Sequence, residues 1–431
     1  MKSKNIRILW ATCFVALACA TVDAAQAARS GEAVPGELLL KLRSTTALAP
    51  LLQKYPITLV SRFGARPIYR VALFGTADPK GTLAALQTEL EVLIAEPNLV
   101  QRPPEAAKNN VWAIGTETAY VAQWAWAALR LPEVGRIATG AGVRVAVLDT
   151  GVDATHPALV GHLDPGYDFV DGDADPSEQG TRLDAAFGHG THVAGIIARI
   201  APAARIIPMR VLDPQGGGDT WAIGEALLRA VDPDGNPATD DGAHVINLSL
   251  GSTGRTRWMD ALAHLAQCGV AAADDPVTDQ SDAGYNADRE RCSRSAGAVI
   301  VAAAGNDGSN SLRIYPAAEG AYGLVSVAAG RADGRLAGFS NSGNWIDLAA
   351  PGDALTSAVP GGGYGTWSGT SMAAPVVSAT AALVRQIAPT LPTEEVKRCV
   401  VRTGGVVKDG QMRALDPLNA LRAALGNATC R

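Results

Sequence analysis

The stretch 143-VRVAVLDTG-151 carries valines at every second position, ends its apolar run in a carboxylate, Asp149, and meets a glycine two residues later. A short β-branched run bounded by a glycine reads as a strand buried on both faces. Three later stretches share that character: "ARIIPMRVLD" (204–213), "HVINLSLG" (244–251) and "AVIVAAAGN" (298–306). Between and around them lie helical candidates, "GHGTHVAGIIARI" (188–200), "TWAIGEALLRAV" (220–231) and "RWMDALAHLAQCG" (257–269). The alternation predicts an α/β fold in three layers, with a mainly parallel sheet covered by helices on both faces.

In such sheets function gathers outside the carboxyl ends of the strands. Asp149 stands at one such end, and His189 opens a helix after Gly188. Ser371 lies in "SGTSMAAP" (368–375), at the start of a further helical stretch in which Pro375 is expected within the first turn. A serine hydroxyl is a weak nucleophile at neutral pH and needs a neighbouring base, usually a histidine, which is itself oriented by a carboxylate. Asn306, at the end of "AVIVAAAGN", offers an amide donor to the oxyanion of a tetrahedral intermediate, together with the Ser371 backbone N–H. Singly, each residue has an ordinary alternative: a turn or cap for Asp149, an N-cap for Ser371, a left-handed turn for Asn306. His189 and His192, three apart, invite a metal pair, but no HExxH pattern and no third ligand accompany them. His192 is expected to be packing beside the site.

Together, "VAVLDTGVD" (145–153), "GHGTHVAG" (188–195), "INLSLG" (246–251), "AAAGN" (302–306) and "SGTSMAAP" resemble, in order, the sequence blocks of the subtilase family of serine peptidases. The resemblance implies a subtilisin-like fold and a secreted endopeptidase acting on polypeptides. Asp149, His189 and Ser371 would be its triad and Asn306 its oxyanion donor, with no cofactor required for the chemistry. Chain order Asp, His, Ser is that of subtilisin and differs from chymotrypsin and the α/β-hydrolases. Ser249, Leu250 and Gly251 on one side, and Gly216, Gly217 and Gly218 on the other, resemble the family's two edges between which a peptide lies as an added strand. A flexible turn is the alternative for the three glycines. The family's usual strong calcium loop is absent, because the helix after His189 runs through without an insertion and Ala158 follows His156 and Pro157. "DFVDGDADP" (168–176) resembles instead the calcium loop of thermitase-like members, which implies a structural calcium on Asp168, Asp171 and Asp173; a solvated acidic loop is the alternative.

Upstream, Lys2, Lys4 and Arg7 precede an apolar run from Ile8 to Ala20, and "AQA" (25–27) offers a cleavage site, so residues 1–27 read as a secretory signal peptide. Residues 28–108 read as a separate α+β module. "GELLLKLR" (36–43) and "IYRVALFG" (68–75) are predicted strands, and Leu83, Leu86, Leu90 and Leu93 fall at helical spacing. On "GELLLKL" and "LIAEPNLVQ" (93–101) this module resembles the family's inhibitor propeptide, which implies a ferredoxin-like fold and intramolecular inhibition. "PPEAAKNN" (103–110) then reads as a loop and processing region, and residues 109–431 as the catalytic domain, expected to be a monomer.

Six cysteines fall to four once Cys13 and Cys19 leave with the signal. An oxidising compartment favours disulfides, four cysteines allow three pairings, and the sequence-local set of Cys268 with Cys292 and Cys399 with Cys430 closes the shortest segments. With 47% hydrophobic and 18% charged residues and a net charge of −5, the chain has a globular composition and no basic stripe for nucleic acid. No membrane span is expected beyond the signal. The rival class is a non-catalytic secreted binding protein on a peptidase fold. An α/β-hydrolase esterase is disfavoured by the triad order and by the Met-Ala that follows Ser371.

Overall fold

The computed structural model describes residues 30–430 apart from 65, 107–111, 235–240, 269–296, 321–322, 409, 411 and 427–429. The expected signal peptide and Cys292 lie outside the described residues. The chain divides into two compact units, the first ending at Val100 and the second running from Gln101 to Arg431.

The first unit has the order β1 (Ala33–Leu42), α1 (Leu48–Lys54), β2 (Ile57–Arg62), β3 (Ile68–Leu73), α2 (Pro79–Leu86), β4 (Val92–Gln101). Its strands lie side by side as β2, β3, β1, β4, every pair antiparallel, which is the ferredoxin-like arrangement. Leu38, Leu40, Ile57, Tyr69, Val71 and Leu86 form its core. The leucine-spaced helix is shorter than its spacing predicts. Asp78 caps α2 by accepting from the amides of Lys80 and Gly81, and the helix stops at Leu86. Leu90 is 84% exposed, and Leu93 already lies in β4, beside Ile94 and Ala95, which face Lys41 and Leu40 of β1. Pairing with a buried central strand outweighs the helical spacing.

In the second unit seven strands form one sheet: β5 (Arg144–Asp149), β6 (Tyr167–Asp168), β7 (Arg205–Arg210), β8 (Val245–Leu248), β9 (Val299–Ala303), β10 (Leu324–Gly330) and β11 (Leu348–Pro351). They lie in the order β11, β10, β9, β8, β5, β7, β6, with every neighbouring pair parallel. Helices α3 (His189–Ile200) and α6 (Thr370–Ile387) pack together on one face, where Val193, Ile197, Val376 and Val377 meet Val145, Val147, Val301 and Val327. Helices α4 (Thr220–Val231) and α5 (Arg257–Cys268) pair on the other side, with Trp221 stacked on Trp258 at 6.0 Å. A hairpin of β12 (Leu355–Val359) and β13 (Gly363–Trp367) leads into α6. Helices α7 (Thr393–Arg402) and α8 (Pro417–Gly426) follow, and Cys399 of α7 is bonded to Cys430 with Cα atoms 4.6 Å apart. Cys268 is disulfide-bonded as well.

Pro375 is not in the first turn of its helix. It is the sixth residue of α6, where it cannot donate to the carbonyl of Ser371 four residues before it. The Ser249 hydroxyl, just beyond the end of β8, takes that place by donating to Ser371 O at 2.8 Å. The proline is tolerated because a side chain from the sheet supplies the missing bond, and that bond ties the Ser371 backbone to the strand end.

Candidate active site

The register of the parallel sheet brings the functional strand ends to one edge. Val145, Ala146, Val147 and Leu148 of β5 stand level with Val245, Ile246, Asn247 and Leu248 of β8, which are level in turn with Val299 to Ala302 of β9. The residues at or just past these ends, Asp149, Ser249 and Asn306, therefore converge. Helix α3 delivers His189 to the same edge by starting hard against the turn after β5. A Cβ on Gly190 would lie 2.1 Å from the Gly151 carbonyl, so only glycine permits that approach. The Gly190 amide donates to Thr150 Oγ1 at 2.9 Å, fixing the contact.

Asp149 Oδ1 accepts from His189 Nδ1 at 2.7 Å and from the Thr150 amide at 2.8 Å. With Nδ1 held by Asp149, Nε2 is the ring nitrogen left for a further partner. Trp367 holds the ring edge-on, with centroids 5.2 Å apart. His192 packs beside the site: it is fully buried, its Nε2 lies 3.1 Å from Gly365 O and 3.2 Å from Leu355 O, and burial pushes its pKa down to about 3.

Asn306 is oriented by Thr370, the residue before Ser371. The Thr370 amide and hydroxyl both donate to Asn306 Oδ1, each at 2.9 Å, while Thr370 Oγ1 accepts from the Gly305 amide at 3.0 Å. With its oxygen so occupied, the amide nitrogen of Asn306 points into the space in front of Ser371. Gly369 keeps that space open, since a Cβ there would come within 3.0 Å of Asn306 Nδ2.

That space holds a residue not singled out in the sequence. Glu105, fully buried, accepts from Asn306 Nδ2 through Oε1 at 2.7 Å and from Ser371 Oγ through Oε2 at 2.6 Å. Oε2 is also 3.3 Å from His189 Nε2. Burial works to raise the Glu105 pKa, but hydrogen bonds and charge from His189, with those from Ser371 and Asn306, overcome it and hold the group below its ordinary value. His189 responds in the opposite sense. Burial opposes its charge, yet the two carboxylates flanking it push its pKa up to about 10.

The expected substrate edges divide. Arg102 and Gly251 exchange backbone hydrogen bonds at 3.0 and 3.2 Å as an antiparallel bridge, and Ser249 O accepts from Ser371 Oγ at 3.1 Å, while Leu250 between them is buried. Gly216 flanks the same 102–106 segment: a Cβ on it would meet Ala106 Cβ at 2.9 Å and Pro103 Cδ at 3.0 Å. Gly217 is held within its own turn, donating to Asp213 Oδ1 at 2.7 Å, and Gly218 packs on the Val211 carbonyl.

At the acidic loop, Arg210 Nη1 donates to Asp168 and also to Asp171 Oδ2, the latter at 2.6 Å, and Asp173 Oδ1 accepts from the Asp175 amide at 2.9 Å. The cation that Asp168 and Asp171 share is thus a buried guanidinium, a donor set unlike a calcium cage. Among the described residues no three acidic, histidine or cysteine side chains converge as metal ligands.

The profile of the subtilase family matches residues 140–420, and the chain belongs to that family of S8 peptidases. It is 39% identical over 253 residues to the thermophilic serine proteinase of Bacillus sp. strain AK1, covering 56% of this chain and 52% of that protein. It is 34% identical over 266 residues to thermitase of Thermoactinomyces vulgaris, covering 59% of this chain and 79% of that protein. Fervidolysin from Fervidobacterium pennivorans, described as a keratinolytic enzyme related to subtilisin, shares the fold at a TM-score of 0.69 and 24% identity, over 92% of this chain and 62% of that one. No helix among the described residues is long and apolar enough to cross a membrane.

Proposed function

We propose that the chain is a secreted serine endopeptidase, made as a preproenzyme that cuts itself free of residues 28–108. Ser371 Oγ attacks the peptide carbonyl, His189 takes the hydroxyl proton and returns it to the leaving amine, and Asp149 holds the imidazole in the tautomer this requires. Asn306 Nδ2, with the Ser371 backbone amide, stabilises the oxyanion. The observation that carries this reading is the pair of oriented groups around Ser371: the imidazole bonded to Asp149 at 2.7 Å, and the Asn306 amide whose oxygen is fixed by Thr370. Polypeptide substrates would add as a strand beside Ser249 to Gly251, with Gly216 on the opposite side, in the manner that Arg102 pairs with Gly251. The first unit acts in this scheme as an inhibitor propeptide, with processing between Arg102 and Val111.

The test is a fluorophosphonate probe applied to refolded full-length chain and to its Ser371→Ala variant. Wild type is expected to be cut and then labelled, and the variant to stay near the full-length mass and unlabelled. Processed wild-type protein that refuses the probe would favour the non-catalytic rival.

A further inference from the structure

The segment from Gln101 to Ala106 does not pass the catalytic groups as a substrate would. It enters as one, with Arg102 paired to Gly251, but Pro103 and Pro104 then bring no N–H for further pairing, and the chain turns through Pro104 and Glu105. What reaches the catalytic centre is a side chain. Glu105 Oε1 lies against Asn306 Nδ2 at 2.7 Å, where a tetrahedral intermediate's oxyanion would sit, and a Cβ on Gly369 would come within 1.5 Å of it. Oε2 accepts the Ser371 hydroxyl and lies 3.3 Å from His189 Nε2, so it stands between nucleophile and base.

Resting on the peptidase reading above, we propose that Glu105 is a built-in plug: its carboxylate occupies the oxyanion hole of the uncut chain, separates Ser371 from His189, and keeps the site latent until it withdraws. The chemistry suits the role. A carboxylate presents negative charge to donors arranged for an oxyanion, yet it resists attack, because charge delocalised over its two oxygens makes the carbon a poor electrophile and it has no leaving group to expel. The imidazole held between Asp149 and Glu105 is stabilised as a cation and is no base for the hydroxyl. Latency of this kind needs no cut and leaves no free chain end in the site. The maturation cut accordingly requires residues 103–106 to rearrange first.

Two measurements test the plug. In the first, the fluorophosphonate labelling rate is read on the full-length band during the first minutes after refolding. E105A is expected to label about tenfold or more faster than wild type, and E105Q, which keeps the volume but loses the charge, faster by a similar factor. Equal rates for all three overturn the proposal. In the second, synthetic Gln-Arg-Pro-Pro-Glu-Ala and its Glu→Gln counterpart are added to processed enzyme, which covers the case in which the variants do not fold. The glutamate peptide is expected to inhibit about tenfold or more strongly than the glutamine one, and equal inhibition refutes a carboxylate-specific site. Absence of labelling from every form, cut or uncut, is a different outcome. It removes the peptidase reading and the plug with it.

Discussion

Replacing Ser249 by alanine deletes one hydroxyl that serves two buried groups. It donates to Ser371 O at 2.8 Å and accepts from Asn247 Nδ2 at 2.9 Å, and all three residues are fully buried. A buried polar group left without a partner costs about 1–3 kcal/mol, so with two such groups the substitution is expected to remove about 2–6 kcal/mol of unfolding free energy. The measurement is made in a Ser371→Ala background, which prevents self-digestion and leaves the carbonyl in place. Pro375 is the reason that carbonyl depends on a side chain. Pro375→Ala returns an N–H four residues along, free to donate to the same oxygen as in any helix. In that second background Ser249→Ala should cost less, by about 1 kcal/mol, the net worth of one buried hydrogen bond. Urea unfolding of the four proteins, followed by tryptophan fluorescence, gives the comparison, with the slopes checked for constancy. If the two costs agree within about 0.3 kcal/mol, the hydroxyl and the proline are uncoupled and the account of Pro375 is wrong.

Loss of the Asn306 amide donor by Asn306→Ala should lower kcat by about 10²- to 10³-fold with little change in KM, in a peptide-hydrolysis assay of processed enzyme. Arg210→Met strands the fully buried carboxylate of Asp168, so urea unfolding should show a loss of about 3–5 kcal/mol; a loss under about 1 kcal/mol would mean that another cation serves the loop. A pH effect follows from the two shifted groups. His189, raised from 6.5 to about 10, contributes stability that is complete below about pH 6.5 and fades as pH climbs through 10, whereas Glu105, lowered from 4.5, contributes above that value and loses it in acid. The Tm difference between the uncut Ser371→Ala chain and its Glu105→Ala derivative should therefore be greatest between about pH 5 and 6.5 and shrink toward pH 10. A flat difference would argue against a charged contact.

The parallel sheet was legible because strands buried on both faces have no polar side to interrupt them, so "VRVAVLD" and "AVIVAAA" announce themselves. Asp149, His189, Asn306 and Ser371 stand out in the sequence for the complementary reason: each is a polar residue placed where an apolar element begins or ends. Reading failed where the deciding partner is distant in the chain. Nothing near Leu90 says that Leu93 to Ala95 will pair with β1 and not extend a helix. Asp168, Asp171 and Asp173 look like ligands in the sequence, which does not show that Arg210, on a neighbouring strand, contacts two of them. Glu105 looked like loop, since a glutamate beside two prolines and two alanines is usually solvated. The two prolines were the one available hint, because they forbid the strand that a substrate would continue. Thr370 was visible only as the neighbour of Ser371, and its grip on Asn306 depends on a strand end some sixty residues earlier in the chain.

The bond between Cys399 and Cys430 closes a sequence separation of 31 residues, worth about 4 kcal/mol if its whole effect is to restrict the unfolded chain. For most proteins that figure would describe a melting temperature. A peptidase faces another hazard, for it shares solution with copies of itself, and any end that frays is presented to them as substrate. Local opening, not global unfolding, then sets how long a molecule lasts. By tying α7 to a residue beyond α8, the bridge would, on the peptidase reading above, keep α8 from being offered to other copies by a local opening.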